Sequence, residues 1–324
     1  MSSEKTPETT RHIPILLEPI ADFLFEGIRA LPEDATPGVI LDCTLGGGGH
    51  TARLLEKLAL IPGAEKHLVL GVDRDPDAIG RNKIRFKNEL SAGRMEIHHC
   101  AFSESMKIIG SRPIYGMLAD LGVSSDQIDS ETRGFSFRFN SPLDMRMNTG
   151  SGEPLSSWLS QVSESVLADV IWKYGEERFS RKIARRIIDL RSRGEMPKDT
   201  QGLADAIRSV FPPKLRHQGL HPATRTFQAL RIEINEELKE LETLIREGFP
   251  KTAPGGRIAI LSFHSLEDRL VKEEFRNRDR YELPFKKPLQ ADEAEVTMNS
   301  RSRSAKLRLA IRKASEPEAP QSRS

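Results

Sequence analysis

Residues 38–60 read GVILDCTLGGGGHTARLLEKLAL, and the fold turns on them. GVILDCT (38–44) is a short apolar run of the kind a buried parallel strand shows. It stops at Gly46, Gly47, Gly48 and Gly49. HTARLLEKLAL (50–60) then sets Leu54, Leu55 and Leu58 at helical spacing. A strand that passes through glycines into a helix is a ligand cradle. Glycine lets the backbone approach a bound group closely, and the start of a helix offers N–H donors with no partner inside it.

The same alternation continues outward. HLVLGVD (67–73) reads as a second strand and RDPDAIGRNKIRFKNEL (74–90) as a helix with Pro76 near its start. RMEIHHC (94–100) and YGMLADLGV (115–123) follow as a third and fourth strand. Strand and helix alternating at this spacing predict an α/β fold, a doubly wound and mostly parallel sheet. Beyond residue 129 the strands cease. SESVLADVIWKYG, EERFSRKIARRIIDLRSRG and TQGLADAIRSVF are helical, and HPATRTFQALRIEINEELKELETLIREGF (221–249) reads as one long helix. GGRIAILSFHS (255–265) restores the strand pattern, and KLRLAIRK (306–313) alternates as a half-buried edge strand does. The expected organisation is a core of residues 12–128 and 221–313, an inserted all-helical domain at 129–220, and disordered tails at 1–11 and 314–324.

Composition narrows the class. The chain has 324 residues, 49 Lys+Arg against 47 Asp+Glu and a net charge of +2, so local patches decide any nucleic-acid binding. Cys43 and Cys100 are the two cysteines, too few for a disulfide framework, which fits a reducing, cytoplasmic setting. No apolar run approaches the roughly 20 residues of a membrane span, and no membrane partner is expected.

Ligands in open α/β sheets sit beyond the carboxyl ends of the strands. Asp42, Asp73 and Asp120 all stand at such ends and are expected to converge on one crevice. Asp73 is placed to accept ribose hydroxyls. Gly47, Gly49 and Ala52 satisfy the dinucleotide fingerprint G-x-G-x-x-A. A carboxylate at position 42 repels a pyrophosphate, however, and suits a ligand with an ammonium and a sulfonium, such as S-adenosyl-L-methionine. No G-x-x-x-x-G-K-[ST] is present.

With these residues in hand, the chain resembles a known family. HIPILLEPI, LDCTLGGGGHT, GVDRDPDAI, ADLGVSSDQID, RGFSFR, PLDMRM, YGEERFSRKIARRI, HPATRTFQALRI, APGGR, SFHSLEDR and RSRSAKLR are similar to the motifs of the MraW family of bacterial small-subunit ribosomal RNA methyltransferases. The resemblance runs from about residue 12 to 313. It implies a class I methyltransferase with S-adenosylmethionine as cofactor, and N4-methylation of a cytidine in the decoding region of 16S ribosomal RNA. It implies cofactor contacts at Gly48, Gly49, His50, Asp73, Phe102, Asp120 and Gln127, beside the Asp42 read above. The loop departs from the family in one respect: it has four glycines where a larger second residue is common.

Methyl transfer from a sulfonium needs positioning and charge management rather than a metal. The N4 amine is a weak nucleophile, and a carboxylate that accepts its N–H improves it. Asp120 is the candidate, with cofactor binding alone as its other reading. C5 methylation would need a cysteine nucleophile, and neither Cys43 nor Cys100 stands in a Pro-Cys setting. Ser262 and His264, after the fifth strand, are further catalytic candidates that would bond the base edge, with Phe263 stacking on it. The alternative for each is a packed strand end. His98, His99 and Cys100 alternate across a strand, and His217 and His221 lack a third ligand, so no metal is expected.

The RNA contacts are sought in basic runs. Residues 173–193 carry eight Lys/Arg against three acids, including Arg181, Lys182 and Arg185. Residues 298–313 carry six and no acid, including Arg301, Arg303, Lys306 and Arg308. A solvated helix face and charged protection of a strand edge are the competing readings. Arg225, at the return from insertion to core, is expected to line the base pocket. The expected partner is 16S ribosomal RNA in the assembled small subunit. A homodimer is left open, as are an oxidoreductase and a non-catalytic assembly factor.

Overall fold

A computed structural model describes residues 14–216 and 219–314. The expected tail at 1–11, that at 314–324 apart from residue 314, and His217 lie outside the described residues. Seven strands form one sheet: β1 (Val39–Asp42), β2 (Leu68–Asp73), β3 (Met95–His99), β4 (Ile114–Asp120), β5 (Thr252–Ser262), β6 (Tyr281–Glu282) and β7 (Lys306–Arg312). Their order is β3-β2-β1-β4-β5-β7-β6. The first five are parallel, and β7 runs antiparallel to β5. The chain winds one way from β1 and the other way from β4. That reversal opens a crevice at the carboxyl ends of these two strands.

The first part of the chain supplies α1 (Leu17–Arg29), α2 (Gly49–Leu58), α3 (Pro76–Arg85), α4 (Lys87–Ser91), α5 (Ser105–Ile109) and α6 (Ser125–Asp129). The insertion adds α7 (Leu155–Gln161), α8 (Glu164–Gly175), α9 (Ser180–Ser192), α10 (Thr200–Ser209) and α11 (Thr224–Ile234). The return adds α12 (Glu237–Thr243), α13 (Ser265–Phe275) and α14 (Glu293–Met298). Both faces of the sheet are covered, as an almost wholly apolar strand requires. In β1 the buried Ile40 faces α1 and α2, with Ile20, Leu24 and Leu54. Its neighbours Val39 and Leu41 face the other layer, with Met106, Leu241 and Phe275.

The insertion has its own core, in which Ile183 and Ile187 of α9 meet Leu167 and Ile171 of α8. This core extends past the expected boundary. Ala223, Phe227 and Leu230 pack in it, so α11 belongs to the helical layer rather than to the sheet core. The long helix expected over 221–249 is broken, because Glu236 takes a left-handed φ of +49° between α11 and α12. The helix expected over 74–90 is likewise divided at Phe86. β7 is not the edge strand. β6 pairs with its Ile311 and Arg312, and Leu289 bridges to Leu307, so its outer side is partly covered. Among the described residues no helix is long and apolar enough to cross a membrane.

A buried ion pair fastens the insertion to the core. Asp75, 1% exposed, accepts from Arg133 Nη1 at 3.0 Å, Gln127 Nε2 at 2.8 Å and the Asp77 amide at 3.0 Å. Arg133 Nη2 donates to the carbonyls of Arg146 (3.1 Å) and Met147 (2.6 Å). Removing one partner of such a pair strands a buried charge. Arg133→Met is therefore expected to lower the unfolding free energy by about 3–5 kcal/mol in urea titration. Adding Asp75→Asn should recover part of that loss.

Candidate active site

The crevice beyond β1, β2 and β4 is a cavity of about 860 Å³. Its floor is the glycine turn, with Gly46 at φ +49° and Gly48 at φ +72°. The turn is held on three sides. Asp73 Oδ2 accepts from the Gly46 amide at 2.7 Å, Asn82 Nδ2 donates to the Gly46 carbonyl at 2.7 Å, and Arg85 Nη1 donates to the Gly47 carbonyl at 2.5 Å. A Cβ on Gly48 would come within 2.1 Å of Asn82 Oδ1, and one on Gly49 within 2.1 Å of Pro14 Cγ. A Cβ on Gly47 would meet nothing within 4 Å, so this position has room for a side chain.

Asp120 and His50 face each other across this floor. His50 Nε2 lies 3.0 Å from the Ile15 carbonyl, which has no proton, so Nε2 donates. In the neutral ring the bare nitrogen is then Nδ1, 3.8 Å from Asp120 Oδ2. Thr44 Oγ1 accepts from the Asp120 amide at 2.6 Å and joins the end of β4 to the glycine turn. Phe102 and Leu241 give one wall an apolar surface; Arg231, Glu237, Phe263 and Glu267 close the far end. Burial pushes the carboxyls of Asp42, Asp73 and Asp120 up to about 6.

Of the residues expected from sequence, Gly49, His50, Asp73, Phe102, Asp120, Gln127 and Arg301 line the cavity. Gly48 does not line the cavity; it supplies the left-handed turn between the lining Gly47 and Gly49. Asp42 does not line the cavity: its oxygens accept from the Thr44 amide (3.1 Å) and Thr51 Oγ1 (2.6 Å) and brace the turn from behind. Gln127 spends its amide on Asp75 and on the Ser124 amide. Ser262 and His264 are not at the cavity either. Ser262 Oγ donates to the Lys306 carbonyl at 3.3 Å, and His264 caps α13, with Nδ1 accepting from the Glu267 amide at 3.4 Å. Arg225 is exposed and donates to the Glu176 carbonyl at the end of α8.

The basic runs divide. Arg181, Lys182 and Arg185 are exposed on α9, and Arg303 is exposed before β7. Arg301 reaches Asp129 at 2.6 Å beside the cavity. Lys306 and Arg308 instead clamp Asp268 at 3.3 and 2.7 Å, which holds that carboxyl below its usual range. These two cations are occupied in the fold. Among the described residues no cluster of His, Cys, Asp and Glu is arranged to hold a metal. Sequence reasoning missed the wall made by Pro14 and Ile15, and it missed Arg231 and Glu237 altogether. The signal for Arg231 was its place in the motif HPATRTFQALRI, and for Glu237 only its spacing of six residues from that arginine.

The model of the MraW methylase family matches residues 9–313. The chain belongs to that family. Relatives named ribosomal RNA small subunit methyltransferase H share its length. The one from Prochlorococcus marinus is 46% identical, over 93% of this chain and 94% of its own. The one from Synechococcus elongatus is 43% identical, over 96% and 98%. The chain is thus a methyltransferase, and S-adenosylmethionine is the donor its cavity has to accommodate.

The donor set fits that cation. Two carboxyls open to the cavity, Asp73 and Asp120, hold their protons more tightly than free carboxyls do, and a nearby positive ligand would favour their ionised form. Phe102 and Leu241 offer an apolar slot, and Gly47 leaves the floor open.

Two outcomes follow for this MraW methylase. Gly48→Ala should cost about 1–3 kcal/mol, from the positive φ and the contact with Asn82. Gly47→Ala, with free space and an ordinary φ, should add about 0.4–1 kcal/mol. Thermal unfolding distinguishes them. The second outcome concerns pH. The folded Asp42 binds its proton up to about pH 6, against 3.8 for an ordinary carboxyl. Its contribution to stability is therefore present below pH 4 and lost as pH rises to 6. Asp42→Asn has no such loss. Its stability relative to wild type should rise across that window, by roughly 3 kcal/mol at most; urea unfolding at pH 4 and pH 7 measures it.

Proposed function

We propose that this methyltransferase transfers a methyl group from S-adenosylmethionine to the N4 amine of a cytidine in the decoding region of 16S ribosomal RNA. The observation that carries the reading is Asp120, a carboxylate at the end of β4 that opens on the cavity and lies beside His50 Nδ1. The names of the full-length relatives point to small-subunit ribosomal RNA as the acceptor.

When bound, S-adenosylmethionine supplies a methyl group activated by a sulfonium centre. The glycine turn and Asp73 would hold its nucleoside, with Phe102 beside the base. Asp120 accepts a hydrogen bond from N4, which turns the amine's lone pair out of conjugation with the ring. It then takes the proton that N4 loses on methylation. His50 Nδ1 is the next acceptor along that path. Phe263 offers a stacking surface for a base drawn out of its helix. Arg301 at the cavity rim and the exposed Arg181, Lys182, Arg185 and Arg303 supply cations for phosphates around it. The near-zero net charge favours an assembled subunit over bare RNA, since a particle adds contacts of shape to those of charge.

The test is methyl transfer from labelled S-adenosylmethionine to small subunits from cells lacking this gene, with the product located by mass spectrometry. N4-methylcytidine at one position is expected. Transfer to another nucleoside, or none, would overturn the reading. Asp120→Asn should lower kcat by about 100-fold or more with cofactor affinity near wild type. Because the Asp120 carboxyl must be ionised to accept the proton, wild-type activity should fall as pH drops below about 6. The variant should lack that limb.

A further inference from the structure

One guanidinium in the cavity has donors to spare. Arg231, half-buried on α11, donates from Nε and Nη2 to the two oxygens of Glu237 at 2.8 and 2.9 Å. This bidentate pair fixes the plane of the fork. Its Nη1 group makes no hydrogen bond among the described residues. A Cβ on Gly122 would lie 3.7 Å from Nη2, 3.9 Å from Nη1 and 4.0 Å from Phe263 Cδ2. The fork and the Phe263 ring therefore flank the turn that follows Asp120, and all of these residues line the one cavity.

The geometry points to Arg231 as the residue that reads the acceptor edge of the target base, binding O2 and N3 of a cytosine whose N4 faces Asp120. This assignment rests on the proposed methylation of cytidine. The pairing edge of cytosine presents one donor, N4, and then two acceptors, N3 and O2. A carboxylate followed by a guanidinium is its complement. Uracil places a carbonyl oxygen against the carboxylate and an N–H against the guanidinium, two repulsive contacts.

The surroundings select a neutral acceptor over an anion. Glu237 already balances the charge of Arg231, and Glu267 adds a further negative charge nearby. A carboxylate or phosphate would thus meet little net attraction. A carbonyl oxygen and a ring nitrogen need only aligned N–H groups. Arg231 is a specificity-determining residue in this account, and Glu237 is the positioning residue that aims it.

The test pairs a protein change with a substrate change. Arg231→Lys keeps a cation beside Glu237 but loses the fork. Small subunits are rebuilt with 3-deazacytidine at the methylated position, which lacks the N3 acceptor and keeps N4. Wild type should lose about 10- to 100-fold in kcat/KM on the analogue. Arg231→Lys should show a similar loss on the natural subunit and little further loss on the analogue, with cofactor affinity by calorimetry unchanged.

Undiminished sensitivity to the analogue in the variant would overturn the assignment. So would a variant whose whole defect is weaker cofactor binding, which would make the guanidinium a cofactor clamp. Should Arg231→Lys unfold, the neutral pair Arg231→Gln with Glu237→Gln, which leaves no unpaired charge, carries the same comparison. Failure of wild type to methylate N4 on natural subunits would instead overturn the parent reading, and this assignment with it.

Discussion

A single buried carboxylate holds the catalytic half of this protein in shape. Asp75 caps α3 and collects donors from Arg133, Gln127 and the Asp77 amide. An uncompensated charge at that depth would cost several kcal/mol, so all these partners must be in place together. Two of them come from segments after β4. The loop that leaves the sheet is thereby drawn back over the end of β2, two residues from Asp73. Arg133 passes the constraint on through Met147, a wall residue of the cavity, and Asn235 grips the same loop at the Met145 carbonyl (2.8 Å) and the Met147 amide (2.7 Å). Hydrogen-bond satisfaction thus helps to set the cavity's shape.

Much of this was legible from sequence. The parallel strands β1, β2 and β4 announce themselves because strands buried on both faces must be almost wholly apolar, and Asp42, Asp73 and Asp120 mark where those three end. The glycine turn was legible for a related reason, since positions 46 and 48 need a left-handed backbone. The break between α11 and α12 was not. Glu236 adopts a left-handed conformation that its residue type does not advertise, so the helical pattern runs straight through it.

Charge was the least legible property. Arg301, Lys306 and Arg308 look alike in the sequence, yet two of them spend their charge on Asp268, whose partners lie about 40 residues away along the chain. Ser262 and His264 misled for the same reason. They stand next to the site in sequence, but the strand end turns their polar atoms to the backbone of β7 and α13. Arg231 escaped notice because an arginine inside a helix reads as solvated, and only the fold puts it under Glu237.

The position of Asn235 couples the two halves of the molecule. Its side chain holds the loop that enters the insertion, while its carbonyl accepts from Arg74 Nη1 at 2.6 Å, next to Asp73. One residue therefore ties together the outgoing and returning segments and, through Arg74, the Asp73 end of the cavity. If ligands at the Asp73 end of the cavity and on the insertion affect each other's binding through this residue, thermodynamic reciprocity makes the two effects equal: whatever the one gains in affinity from the other, the other gains from it.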